Sequence, residues 1–155
     1  GIILKKIAAG EADEFCVIYT KDFGKLKFLV QGVKKEGAKL RGHLELYSLS
    51  RISFVLGKNG DRLTQAKLLN FWPSLRQDLE RLAAVGKALG MIDKNCQEGE
   101  KDEFVWKLLV ESLYFLGQPK SPNYDFNLFY KDFSKQLSVY LGYGGRLEAD
   151  GFSIL

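Results

Sequence analysis

Four cations, Lys34, Lys35, Lys39 and Arg41, fall within eight residues of one glycine-bounded stretch, Gly32-Val33-Lys34-Lys35-Glu36-Gly37-Ala38-Lys39-Leu40-Arg41-Gly42. Dense positive charge on a loop suits a phosphate backbone, because affinity there comes from neutralising charge and releasing counterions, which needs density more than fixed geometry. The competing reading is a solvated loop with no ligand. Lys25 and Lys27 lie on one face of an alternating segment just before it and are expected to support the same surface. Lys5, Lys6, Arg51 and Lys67 also fall in strand-like segments, where lysine on an edge merely guards against aggregation, and are left out of the candidate site. Phe23, Phe28 and Tyr47 sit among these cations, as stacking rings do in barrel-type single-strand binders. A small barrel needs large side chains inside it, so all three are assigned to the core and none to a stacking platform.

Other chemistry is poorly supplied. His43 is the one histidine, which excludes paired-histidine zinc ligation and leaves a single residue around which any nucleophilic triad would have to form. It is expected to cap or line the adjacent strand. Cys16 and Cys96 stand 80 positions apart without Cys-x-x-Cys spacing, so they read as reduced thiols and not as a metal site. Gly57-Lys58-Asn59-Gly60 and Gly142-Tyr143-Gly144-Gly145 lack Walker or dinucleotide spacing and read as turns. Glu98, Glu100, Asp102 and Glu103 crowd the start of a helix, where the helix dipole accounts for them. The expectation is no enzyme, no metal and no cofactor.

At 155 residues, 46% hydrophobic and 27% charged, the chain has the balance of a folded protein of one domain or two small ones, which excludes disorder and a disulfide scaffold. No apolar run approaches the roughly 20 residues of a membrane span, and no basic-then-apolar leader opens the sequence, so a soluble cytoplasmic protein without membrane attachment is expected. Residues 1–72 carry 13 Lys and Arg against 7 Asp and Glu, a net of +6, whereas residues 73–155 carry 10 against 12, a net of −2. Positive charge confined to one half is the footprint of a polyanion-binding module.

The elements that must position these residues follow from periodicity. Ile2 to Ile7, Phe15 to Thr20, Leu26 to Val30, Leu44 to Leu56 and Arg62 to Phe71 read as five strands, with turns at Gly10 to Glu14, Asp22 to Lys25 and Gly57 to Gly60. Five short strands with these turns suggest a small barrel. After Trp72-Pro73 the period changes to 3.6. Ser74 and Gln77 spell a capping box for a first helix ending near Ile92, with Leu75, Leu79, Leu82, Gly86 and Leu89 inward and Arg81 on the polar side. Glu103 to Leu116 reads as a second helix with Trp106, Leu109, Val110, Leu113 and Leu116 inward, closed by Gly117. Ser121-Pro122 opens a third that ends at Gly142, with Phe126, Phe129, Phe133, Leu137 and Tyr140 on one face. That aromatic stripe reads as the inside of a bundle, against the alternative of a groove for a partner's apolar tail. The fold class is α+β: a five-stranded OB-type barrel over residues 1–72 and a helical bundle over 73–155.

The order and wording of these segments resemble the RecO family, recombination mediators of bacterial DNA repair. The resemblance is carried by Ile3-Leu4-Lys5, Gly10-Glu11-Ala12-Asp13, Tyr19-Thr20-Lys21-Asp22-Phe23-Gly24-Lys25-Leu26, Gly32-Val33-Lys34-Lys35 and Leu40-Arg41-Gly42-His43-Leu44-Glu45. Leu63-Thr64-Gln65-Ala66 and Leu75-Arg76-Gln77-Asp78-Leu79-Glu80-Arg81-Leu82 continue it to about residue 92, and Leu141-Gly142-Tyr143 looks like the close of the family's helical region. It implies binding of single- and double-stranded DNA, strand annealing, and partnership with RecR and with the acidic, phenylalanine-ending tail of single-strand binding protein for RecA loading, in a nucleoid-associated cytoplasmic setting. Lys25, Lys27, Lys34, Lys35, Lys39 and Arg41 are the expected backbone contacts. The family's four-cysteine zinc element has no counterpart in Leu147-Glu148-Ala149-Asp150-Gly151, which identifies a short form without it. The loop uses lysines where relatives often use arginine, giving point charges in place of bidentate forks. Two alternatives stay open: an interaction module that docks an acidic protein, and an RNA-binding barrel that discriminates through the 2′-hydroxyl.

Overall fold

The β-branched and aromatic segments form five strands, β1 (Ile2–Ala9), β2 (Asp13–Thr20), β3 (Gly24–Val30), β4 (Leu49–Val55) and β5 (Asp61–Asn70). They close into a barrel in the order β1-β2-β3-β5-β4, antiparallel except for the parallel β3–β5 seam. The structure, a computed structural model, describes residues 1–142. It divides into two units, Gly1–Phe71 with Gln97–Trp106, and Trp72–Cys96 with the residues from Lys107 on.

Ile3, Cys16, Ile18, Phe28, Val30 and Leu63 fill the barrel, joined by Val33 and Leu44 from the connection between β3 and β4. The fourth strand therefore starts five residues later than the alternation suggests. A 3-10 turn at Arg41–His43 delivers Leu44 into the core, and Tyr47, at φ +63°, turns the chain before the ladder begins. Alternation in 44–48 reflects a plug and a turn, not a strand.

Both faces of β2 are buried from Cys16 to Thr20, which a half-exposed strand would not show. The outer face is covered by the segment Gln97–Trp106. Tyr19, fully buried, donates its hydroxyl to the Asp102 carbonyl at 3.4 Å. Gly99 N donates to the Lys25 carbonyl at 2.8 Å, and Glu98 bridges Lys25 in parallel. Gly24, at φ +70°, lets this segment approach: a Cβ there would lie 2.1 Å from the Glu100 carbonyl oxygen.

Three helices follow, α1 (Leu79–Asn95), α2 (Glu103–Gly117) and α3 (Phe126–Tyr140). The capping box expected at Ser74 does not form. Trp72, at φ +48°, leads into a short 3-10 turn over Pro73–Arg76, and the Ser74 hydroxyl donates to the Gly117 carbonyl at 2.6 Å. Asp78 caps α1 instead, its carboxylate accepting from Glu80 N at 2.9 Å and Arg81 N at 3.4 Å. An ionised cap also favours the positive helix end. The shifted start rotates the buried stripe to Ala84, Val85, Ala88, Leu89, Met91 and Ile92, while Leu79 is 84% exposed.

Arg81, assigned to the polar face by its type, is only 8% exposed. Its Nη1 donates to the Leu116 and Gln118 carbonyls at 3.0 and 3.4 Å, satisfying acceptors that the end of α2 leaves open, and its guanidinium lies 5.3 Å from the Phe126 ring centroid. On α2 the buried residues are Val105, Leu108, Leu109, Ser112, Leu113 and Leu116, with Trp106 and Val110 half-buried. The third helix starts four residues after Pro122. Tyr124 N donates to the Ser121 carbonyl at 3.0 Å to close a turn, and Asp125 caps the helix through Asn127 N at 2.9 Å. Its buried stripe is Phe126, Tyr130, Phe133 and Leu137, and the expected Tyr140 is exposed. The tail from Tyr143, including the 147–151 stretch that the resemblance aligns with the family's zinc element, lies outside the described residues.

Replacing the cap, Asp78→Ala, is expected to lower the unfolding free energy by about 1 kcal/mol. Gly24→Ala should cost clearly more, because it adds both a disfavoured φ and a collision with backbone. Urea midpoints of the two variants check the order, and equal midpoints would contradict the covering role of residues 97–106.

Candidate nucleic-acid interface

The segment 31–43 is pinned rather than free. Gly32 N donates to Asp13 Oδ1 at 2.7 Å and Lys34 N to the Ala12 carbonyl at 3.0 Å, while Val33 and Leu40 pack into the core. Arg41, itself exposed, clasps the loop: Nε donates to the Val33 carbonyl at 3.1 Å and Nη2 to the Lys34 carbonyl. Lys34 Nζ reaches the Gly10 carbonyl at 3.3 Å, beside the β1–β2 turn. Lys35 is exposed. The four loop cations therefore do not form one patch: Lys34 lies against the β1–β2 turn and Lys39 lines the outer face of β4–β5.

Lys39 borders a groove of about 640 Å³ lined also by His43, Arg51, Ser53, Thr64, Gln65 and Lys67. Register explains the convergence. Arg51 on β4 pairs directly with Lys67 on β5, and Ser53 with Gln65, so these side chains share the outward face of one ladder. No described residue lining this groove is acidic. His43 closes one wall, its Nδ1 accepting from Leu68 N at 3.1 Å, which leaves the proton on Nε2 in the neutral ring.

Lys25 and Lys27 lie elsewhere, on the outer face of β3. Lys27 Nζ stands 4.4 Å from the Phe15 ring centroid and borders a second groove of about 600 Å³ with Gln31, Lys58 and Arg62. Arg62 Nη1 donates to Gln31 Oε1 at 3.2 Å. Two carboxylates, Asp61 and Glu98, line this groove as well, so its field is mixed. Lys25 is engaged with the covering segment through its backbone pairing with Glu98 and Gly99.

Arg51 and Lys67 were visible in sequence as strand cations, but nothing in the sequence says that they face one another. That depends on ladder irregularities at Leu49/Ser50 and Ser53/Phe54, which reset the register. Lys58 and Arg62 read only as turn and strand start. Of the three aromatic candidates, Phe28 is wholly buried as expected, Tyr47 is half-buried, and Phe23 is 53% exposed. Burial pushes the Cys16 thiol up to about 11, with Lys6 opposing, which makes it a poor nucleophile near neutral pH.

The fold and its cationic grooves define an OB-type barrel with a basic outer ladder, joined to helices. Residues 1–72 match the family model "Recombination protein O N terminal". Proteins named "DNA repair protein RecO" are similar over more of the chain: that of Moorella thermoacetica is 32% identical over 149 residues, covering 96% of this chain and 54% of that protein. That of Rubrobacter xylanophilus is 29% identical over 148 residues, covering 96% and 58%. That of Gloeothece citriformis is 39% identical over 84 residues, covering 54% and 30%. Residues 1–72 belong to the RecO family, and the chain, similar to the Moorella and Rubrobacter proteins along nearly all of its own length, spans about half of theirs. No described helix is long and apolar enough to cross a membrane.

Arg51 opposite Lys67 is a like-charge cross-strand pair, an arrangement that weakens a sheet. Lys67→Glu is expected to stabilise the barrel by about 0.2 to 1 kcal/mol at low salt. The gain should shrink at high salt as screening sets in. Urea unfolding at two ionic strengths checks both the sign and the salt dependence.

Proposed function

We propose that this protein acts in DNA repair and recombination by binding the phosphate backbone of single- and double-stranded DNA on the outer face of β4–β5, without a catalytic step of its own. The observation that carries this reading is the convergence of Lys39, Arg51 and Lys67, from three separate segments, on one groove that no described carboxylate lines. Two like charges held opposite each other gain a common partner when a phosphate neutralises both. Lys27, Lys58 and Arg62 supply a second, weaker contact region, tempered by Asp61 and Glu98. The names of the relatives point the same way.

The family extends the proposal to strand annealing and to RecA loading with RecR and single-strand binding protein. Annealing asks for a cationic surface that screens two strands while leaving base edges free, and phosphate contacts on an outer ladder do that. For an acidic, phenylalanine-ending tail the second unit offers Phe115, with Lys120 Nζ 4.1 Å from its ring centroid.

Fluorescence anisotropy of labelled DNA at about 50 and about 200 mM salt tests the reading. With roughly three phosphate contacts, affinity should fall about tenfold to fiftyfold across that range. The triple variant Lys39→Glu, Arg51→Glu, Lys67→Glu should lose most of the binding, whereas Lys35→Glu should lose little. Binding indifferent to the triple variant would refute the site.

A further inference from the structure

Between the β2–β3 turn and the β4–β5 hairpin lies an opening of about 500 Å³ lined by Phe23, Leu26, Ile52, Phe54, Leu56 and Asp61, with Ser53 and Gly99 at its edge. Its floor is the barrel core itself, since Leu26, Ile52 and Phe54 pack against the buried cluster. Its walls are apolar groups left in water: Phe23 is 53% exposed and Leu56 79%. Phe23 stands edge-on to Phe54, with centroids 5.5 Å apart and planes at 86°, so one ring braces the other while a face of Phe23 is left for a planar guest.

The position of this opening identifies the guest. Ser53 belongs both to it and to the groove of Lys39, Arg51 and Lys67. Asp61 belongs both to it and to the groove of Lys27, Lys58 and Arg62. An apolar opening thus separates the cationic β4–β5 groove from the mixed-charge groove of Lys27, Lys58 and Arg62 on one continuous surface. A phosphate is unwelcome inside it, because the lining is hydrocarbon and its one described charge is the Asp61 carboxylate. A base is welcome, offering a π-face to Phe23 and N–H donors to that carboxylate.

We infer that Phe23 and Leu56 form a pocket for one unstacked base of single-stranded nucleic acid, whose backbone runs from the β4–β5 groove to the β3 groove. This rests on the nucleic-acid reading above and adds to it a preference for strands whose bases are free. A duplex keeps its bases stacked and paired, so it meets only the cationic grooves.

The test compares three labelled probes of equal length by anisotropy: a single strand, the same strand carrying abasic sites, and the duplex. Wild type should bind the base-bearing strand about fivefold to a hundredfold more tightly than the abasic one. Phe23→Ala and Phe23→Leu should remove that preference, leaving duplex affinity within about twofold and the salt dependence unchanged. Phe23→Leu retains apolar bulk, so a loss there reports the aromatic face and not the fold. Phe23→Trp should restore the preference. Equal wild-type affinity for base-bearing and abasic strands, or equal loss on single strand and duplex in the Phe23 variants, would overturn the pocket while leaving backbone binding standing. Failure of wild type to bind any of the three would overturn both.

Discussion

The first unit depends on closing a five-stranded sheet whose third and fourth strands are not neighbours. The chain must cross the barrel between them, and it does so by sinking Val33, Leu40 and Leu44 into the core. Burying such side chains stabilises by roughly 1.5 to 3 kcal/mol each, which is what holds a lysine-rich segment against the protein instead of leaving it in water. The seams are otherwise short, with Phe28 and Leu29 meeting Asp61 and Arg62 on one side and Ile2 meeting Leu49 on the other. Leu44 and Phe28 therefore support the closure as well as filling the interior.

Charge placement follows from that closure. Because the connection is anchored, its cations are distributed to fixed places: Lys39 to the outer β4–β5 ladder, Lys34 to the β1–β2 turn, and Arg41 back onto the loop's own carbonyls. Arg41 shows why residue type alone is a poor guide. Its guanidinium is committed to the Val33 and Lys34 carbonyls, so it shapes the loop from which Lys39 projects. Arg81 does the same in the second unit, where a charged residue became an interior cap because the carbonyls of Leu116 and Gln118, at the end of a helix, lie beside it.

The strands, the hairpin turns and the three helices were legible because they rest on local periodicity and turn chemistry. Their ends were less so. Ser74 has the spelling of a cap, yet Asp78 fills that role, because the backbone at Trp72 and the carbonyl of Gly117 decide the matter at a distance. The basic character of the barrel was legible from charge arithmetic, but the face on which its cations converge was not. Arg51 and Lys67 meet only through a bulged register, and Phe23, expected inside, stands outside because it lies in the turn between β2 and β3, its N–H donating to Thr20 Oγ1. Long-range pairing is the part of a fold that a single sequence carries least openly.

Tyr19 has a further consequence, for the order in which this protein is made. The cover over its ring comes from residues 97–106, which leave the ribosome after β1 to β5 and after all of α1. A nascent chain with the five strands complete still lacks that cover, so the outer face of β2 is wet until some thirty further residues have been synthesised. The same holds for a gene fragment cut at the family boundary at residue 72, which ends before the tenth-to-last residue of its own unit has begun. A barrel that looks finished by strand count is therefore sealed only by a segment encoded beyond its next helix.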